Sequence, residues 1–181
     1  NSADAVVLTS ATNSLTNVEI DNTGNSVSFT NSAATNISAG GIQGSTVVLN
    51  TAGLTQTGAI AATDLAVTNT AGTVVLDQNN VLGEVGIINT GRDITLTNTT
   101  ATNISAFGIE GDTVVFNIAN GLTQTGVIVA TSLDVTNSAD AVVLTNAANS
   151  MTDVEIDNTG NSVSFTNAAA TNISAGGIQG S

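Results

Sequence analysis

Along this chain, short bursts of apolar side chains alternate with small polar ones. The pattern apolar-x-apolar followed by Thr or Asn recurs as Val27/Phe29, Val47/Leu49, Leu65/Val67, Ile94/Leu96, Val114/Phe116, Leu133/Val135 and Val163/Phe165. Alternation at period two places one set of side chains on one face of a strand, so each burst predicts a short strand with a single buried face. The first members are 20, 18, 29, 20, 19 and 30 residues apart. Two short steps alternate with one long step. A recurrence of about 20 residues matches one turn of a parallel β-helix, in which stacked coils share a core that one coil cannot close alone.

The chain repeats itself on a longer scale. Residues 1–45 return at 137–181 with 40 of 45 positions identical, and a more divergent copy starts at Asn69. "GLTQTGAIAATDLAVTN" (53–69) and "GLTQTGVIVATSLDVTN" (121–137) carry the match through the rest of the unit. The repeats therefore start at 1, 69 and 137, with a period of 68 residues. The predicted fold class is all-β: a parallel β-helix (β-solenoid) of about 20 residues per coil, with a longer coil every 68 residues. Residues 1–181 form a single continuous solenoid segment, expected to be a fragment of a longer repeat array.

A coil reads as up to three short strands. "DITLTN" (93–98), "ATNIS" (101–105) and "FGIEG" (107–111) are one set, with Ile104 and Ile109 inward. Ile37 and Ile42, and later Ile173 and Ile178, hold the same places. The expected stacks are Val27, Val47, Leu65, Ile94, Val114, Leu133 and Val163, beside Phe29, Leu49, Val67, Leu96, Phe116, Val135 and Phe165. The long coil carries an insert, 139–149, whose Val142 and Leu144 either extend a wall or build a bulge on it.

Composition narrows the functional classes. The chain has no Cys, Pro, His, Trp, Tyr or Lys, and Arg92 is its only basic residue. Its net charge is -13, so it has nothing to neutralise phosphates or anionic lipid with, and no nucleic-acid partner is expected. No apolar run reaches the roughly 18 residues of a spanning helix, so no membrane insertion is expected in this segment. Catalytic triads that need His or Cys are excluded, as is a Lys base. A carboxylate pair as in glycosidases lacks the irregular groove and aromatic platforms it would need. The chain is expected to be no enzyme and to use no cofactor.

Three motifs bear on binding. In "EIDNTG", Glu19 and Asp21 share one outward face, as do Glu155 and Asp157 in the later copy, while the middle copy reads "GIINTG". Such a pair, with backbone carbonyls, is a weak candidate for calcium. A solvated acidic face is the simpler reading. "TNIS" at 35–38, 102–105 and 171–174 fits a glycan acceptor, but Asn36, Asn103 and Asn172 are expected as coil-corner residues in left-handed backbone, stacking their amides. Outward Thr95 and Thr97 form the only Thr-x-Thr pair of the equivalent positions, which argues against a repeated ice-binding array.

"TLTN", "VVLTNAANSMTDVEI", "SVSFTNAAATNISAGGI" and "GLTQTGAIAATDLAV" resemble repeats of large bacterial exoproteins of the filamentous haemagglutinin type. The resemblance spans essentially the whole chain and implies a right-handed β-helix exported by a Gram-negative cell, often by a two-partner route. It implies an extracellular or cell-surface adhesin stalk, filament or biofilm-matrix fibre. The partners expected are further copies, end to end or laterally, and a host or neighbouring-cell surface or matrix polysaccharide. The alternative is a calcium- or carbohydrate-binding module built on the acidic coil face.

Overall fold

The computed structural model describes residues 3–181, which contain 17 strands. The strands pair in parallel, the inner ones with partners one coil before and one coil after. They wind into a β-solenoid of about nine turns. Paired residues are separated by between 18 positions (Val47 and Leu65) and 22 (Ile20 and Ile42). At a rise of about 4.8 Å per coil the rod is about 40 Å long.

Each coil has two main walls, joined in most coils by a short third stack (Ile42 on Ile60 and Ala61 on Val81, later Ile109 on Ile128 and Val129 on Ser150). The first passes through Val6–Leu8, Val27–Thr30 and Thr46–Thr51, then through the later parts of Ile60–Asn69 and Val74–Ile88. It continues through Thr102–Glu110, Leu122–Gln124 and Val142–Leu144 to Val163–Phe165. The second begins at Asn17–Asp21 and Thr35–Gln43 and reaches Ile94–Asn98 and Thr113–Ile118 by way of Leu54–Gln56 and the start of Val74–Ile88. It ends in the later parts of Ile128–Asn137 and Ser150–Asp157, and in Asn172–Gln179.

The stacks differ from the sequence expectation at two points. Val27, Val47 and Leu65 do lie one above another, but Leu65 is followed by Val85 and not by Ile94. Ile94 belongs to the second wall, between Val74 and Val114. That column runs on through Leu133 to Val154, while Val163 sits on Val142 in the first wall. The 29- and 30-residue steps are therefore not longer coils. At each, the motif crosses from one wall to the other, a coil and a half further on. The stretch expected to be an insert is a regular part of a coil: Val142 and Leu144 extend the wall and are buried, Val142 paired between Leu122 and Val163 and Leu144 paired with Phe165.

The reason is closure. A unit of 68 residues holds close to three and a half coils of about 20 residues, so equal sequences land on opposite walls in successive units. Two units restore the side, and Val27 and Val163 are both on the first wall. Local shape travels with the sequence. Thr35–Gln43 on the second wall and Thr102–Glu110 on the first each shift register in mid-strand. Each bends at a glycine in left-handed backbone, Gly41 (φ 76°) and Gly108 (φ 82°), where a side chain would be strained.

The interior is sealed by aliphatic side chains and two rings. Val27, Phe29, Val47, Ile94, Phe116 and Leu133 are essentially inaccessible. Ile37, Ile42, Ile104 and Ile109 point inward as expected, while Ile173 and Ile178 in the last coil are partly open. The corners are closed by amides that are buried or, at Gln124 and Asn167, half-buried. Asn98 accepts from Leu82 N (2.9 Å) and donates to Leu82 O (2.8 Å), standing in for a strand neighbour. Asn31 does the same for Leu15, and Asn167 for Met151. Gln124 and Asn149 exchange two amide bonds (2.9 and 2.8 Å), as Gln56 and Asn80 do (2.9 and 3.1 Å). Among the described residues no buried side-chain nitrogen or oxygen lacks a partner. An amide inside an apolar rod would otherwise cost several kcal/mol of desolvation, about 1–3 per orphaned group.

Candidate functional surface

The acidic candidates lie where the sequence places them, on the outside of the second wall, but each carboxylate has its own protein partner. Glu19 accepts from the backbone N–H of Gly40 in the next coil at 3.2 Å, and Glu155 from that of Gly176 at 3.1 Å. Asp21 accepts from the hydroxyl (2.9 Å) and N–H (3.3 Å) of Thr23. Asp157 does so from Thr159, at 2.7 and 3.1 Å. Each threonine hydroxyl also reaches the glutamine one coil on, Gln43 or Gln179. These are turn-closing contacts, and the bonds from Thr23, its hydroxyl first, hold the Asp21 carboxyl below its ordinary value. Among the described residues no three His, Cys, Asp or Glu side chains come together as a metal site would need.

The glycines beneath these glutamates explain why the glutamate disappears from the middle repeat. A Cβ on Gly40 or Gly176 would collide with the Glu19 or Glu155 carboxylate. In the middle repeat the sizes are exchanged: Gly86 replaces the glutamate and Phe107 replaces the glycine. A Cβ on Gly86 would strike Phe107 at 2.6 Å. One large side chain and one glycine fill the same gap in either order. The cost of the exchange is that Phe107 lies 48% exposed, while Phe29 and Phe116 are buried.

Asp134 is a further acidic position that sequence reasoning did not single out. It stands in register with Glu155 on the next coil. Partial burial, and secondarily the Glu155 charge, push its carboxyl above the ordinary value. The corresponding residues one repeat earlier are Ala66 and Gly86, also in register. Comparing copies position by position would have exposed both this charged pair and Phe107.

Asn36, Asn103 and Asn172 are not corner residues. They lie inside strands, outside the left-handed region. The corners are built by other asparagines, whose side chains turn inward to complete backbone pairing. Asn36 instead donates to Asn17 (3.0 Å), Asn103 to Thr125 (3.1 Å) and Asn172 to Asp153 (2.6 Å), always across coils on the outer surface. Of the amide stacking expected of them, only the Asn36–Asn17 contact joins two amides; Asn103 meets a hydroxyl and Asn172 a carboxylate. Thr95 and Thr97 face outward beside Val115 and Asn117.

Among the described residues no helix is long and apolar enough to cross a membrane. No family model matches the sequence, and no match was found among curated proteins or solved structures.

Proposed function

We propose that this solenoid is a structural rod of a secreted or cell-surface bacterial protein: an adhesin stalk, an extracellular filament or a biofilm-matrix fibre. Its work is mechanical. The observation that carries the reading is the unbroken stacking of coils, in which walls and corner amides continue from the first repeat into the third. Pulling along the axis has to break whole coils of backbone bonds at once. The repetition offers many equal outer positions, suited to numerous weak contacts acting together. The resemblance of the repeats to filamentous haemagglutinin-type exoproteins supports the extracellular setting.

Single-molecule pulling tests the mechanical claim. Releasing one coil of about 20 residues should add roughly 60 Å of length, so the trace should show resisted steps of that size or its multiples. Featureless extension at low force would refute a load-bearing role. Antibody labelling of intact source cells tests the location, and signal appearing only after lysis would overturn it.

A further inference from the structure

The fourteen acidic residues are unevenly placed around the rod. Along the middle of the first wall, the outward residues of the first five coils are Val7, Ser28, Val48, Ala66 and Gly86, in direct register. Ser105 lies against Gly86. In the last four coils the paired outward residues are Asn103, Thr123, Val143 and Ser164. None is charged. Asp64 and Glu84 border the strip on one side, in the column that leads on to Asn103, and Glu110 lies in another neighbouring column. The second wall is different: Asp134, Glu155 and Asp157 stand on its outer face, and Glu19 and Asp21 at its start.

We infer that the uncharged strip of the first wall is a lateral contact surface for a second copy of this chain. Charge selects that occupant. Two molecules of net charge -13 repel when their second walls meet, because carboxylates then face carboxylates. The first wall lets two such rods approach without desolvating like charges along most of their length. A two-fold pairing makes the contact self-complementary. Phe107, half exposed beside the strip, then gains cover from the partner's wall. The strip is about 40 Å long and about 10–12 Å wide, so pairing hides on the order of 900 Å² in total. That is the low end for specific pairs, and the expected dissociation constant for this segment is high-micromolar, on the order of 100 μM. The inference rests on the lateral-contact part of the proposed function, not on load bearing.

Sedimentation equilibrium of the 181-residue chain over a wide concentration range tests it. The wild type should dimerise, more tightly as salt screens the net charge. Ala66→Asp with Thr125→Asp, the latter exposed beside Asn103 of the strip at 3.1 Å, places one carboxylate on the strip and one at its edge and should weaken association at least about tenfold. The Asp134 position shows that the repeat accepts Asp at this place. Thr95→Asp with Asn117→Asp adds the same charge to the second wall and should change it far less. Circular dichroism verifies that both variants fold, and Thr125→Asp alone serves if the double variant does not. A wild type that stays monomeric at millimolar concentration overturns the inference. So does association that the first-wall variants leave intact, as end-to-end stacking would, or equal loss in both pairs. A monomeric chain that still resists pulling would sink the lateral contact and leave the mechanical role standing.

Discussion

Replacing Asn98 with alanine tests how the corners are held. The Asn98 side chain is buried and occupies the place of a strand neighbour to Leu82, which is itself 1% exposed. Its oxygen is the partner of Leu82 N, at 2.9 Å. Its nitrogen donates its two hydrogens to Leu82 O (2.8 Å) and Thr102 Oγ1 (2.8 Å) and lies within 3.1 Å of Thr100 O. Alanine removes all of these, with unequal consequences. The Leu82 carbonyl keeps the Thr100 hydroxyl at 2.8 Å, and Thr102 Oγ1 keeps its own bond to Thr100 O. The Leu82 N–H loses its partner in an apolar interior, which costs about 1–3 kcal/mol, and the small cavity adds to it. We expect a loss of about 2–4 kcal/mol for Asn98→Ala. Because coils can open separately, hydrogen exchange at Leu82 is the informative assay, read beside urea unfolding. The Leu82 amide should lose protection by a factor of about 30 or more, while amides three coils away change little. Asn98→Asp keeps the acceptor for Leu82 N but turns an oxygen toward the Leu82 and Thr100 carbonyls. Burial then raises the pKa of the introduced carboxyl, so this variant should be more stable at acid pH than at neutral pH. Unaltered Leu82 protection in Asn98→Ala, or a loss below about 0.5 kcal/mol, would refute the bracketing role assigned to the amide.

Phe116→Ala should cost about 3–5 kcal/mol in denaturant melts, whereas Phe107→Ala should cost under about 1 because that ring is half exposed. Gly58→Ala should destabilise far more than Gly40→Ala: the first methyl meets the Ser38 backbone carbonyl, the second only the movable Glu19 side chain. Thermal melts of the two variants decide this. The Asp134 pKa is raised on folding, so its ionised form opposes the fold at neutral pH. Its contribution should improve as pH falls through the folded pKa and level off below the unfolded one, and Asp134→Ala should abolish this acid gain. Asp21, held below its ordinary value, acts in the opposite sense, and its contribution fades as pH falls. Adding calcium or a chelator should leave the melting temperature unchanged, because the Glu19, Asp21, Glu155 and Asp157 carboxylates are already engaged within the protein.

The candidate site was only half legible in the sequence. That Glu19 and Asp21 share an outward face follows from strand alternation alone. Thr23 takes up the Asp21 carboxylate within the same turn, two residues on, but that the Gly40 N–H takes up Glu19 depends on which coil lies above, which alternation does not encode. The exchange of Glu19 and Gly40 for Gly86 and Phe107 is written in the repeats, yet its meaning appears only when the two positions are seen to touch.

Taken alone, the order of residues determined the strands, the coil length of about 20 residues and the inward set, since alternation and recurrence are local properties of the chain. Short polar runs between bursts determined that strands pair one turn apart. The tertiary structure decided which wall each strand joins, because 68 residues do not close a whole number of coils and every unit is carried to the opposite side. It likewise decided which asparagines turn inward, since a buried amide is favourable only where the next coil leaves an N–H and a carbonyl for it to meet.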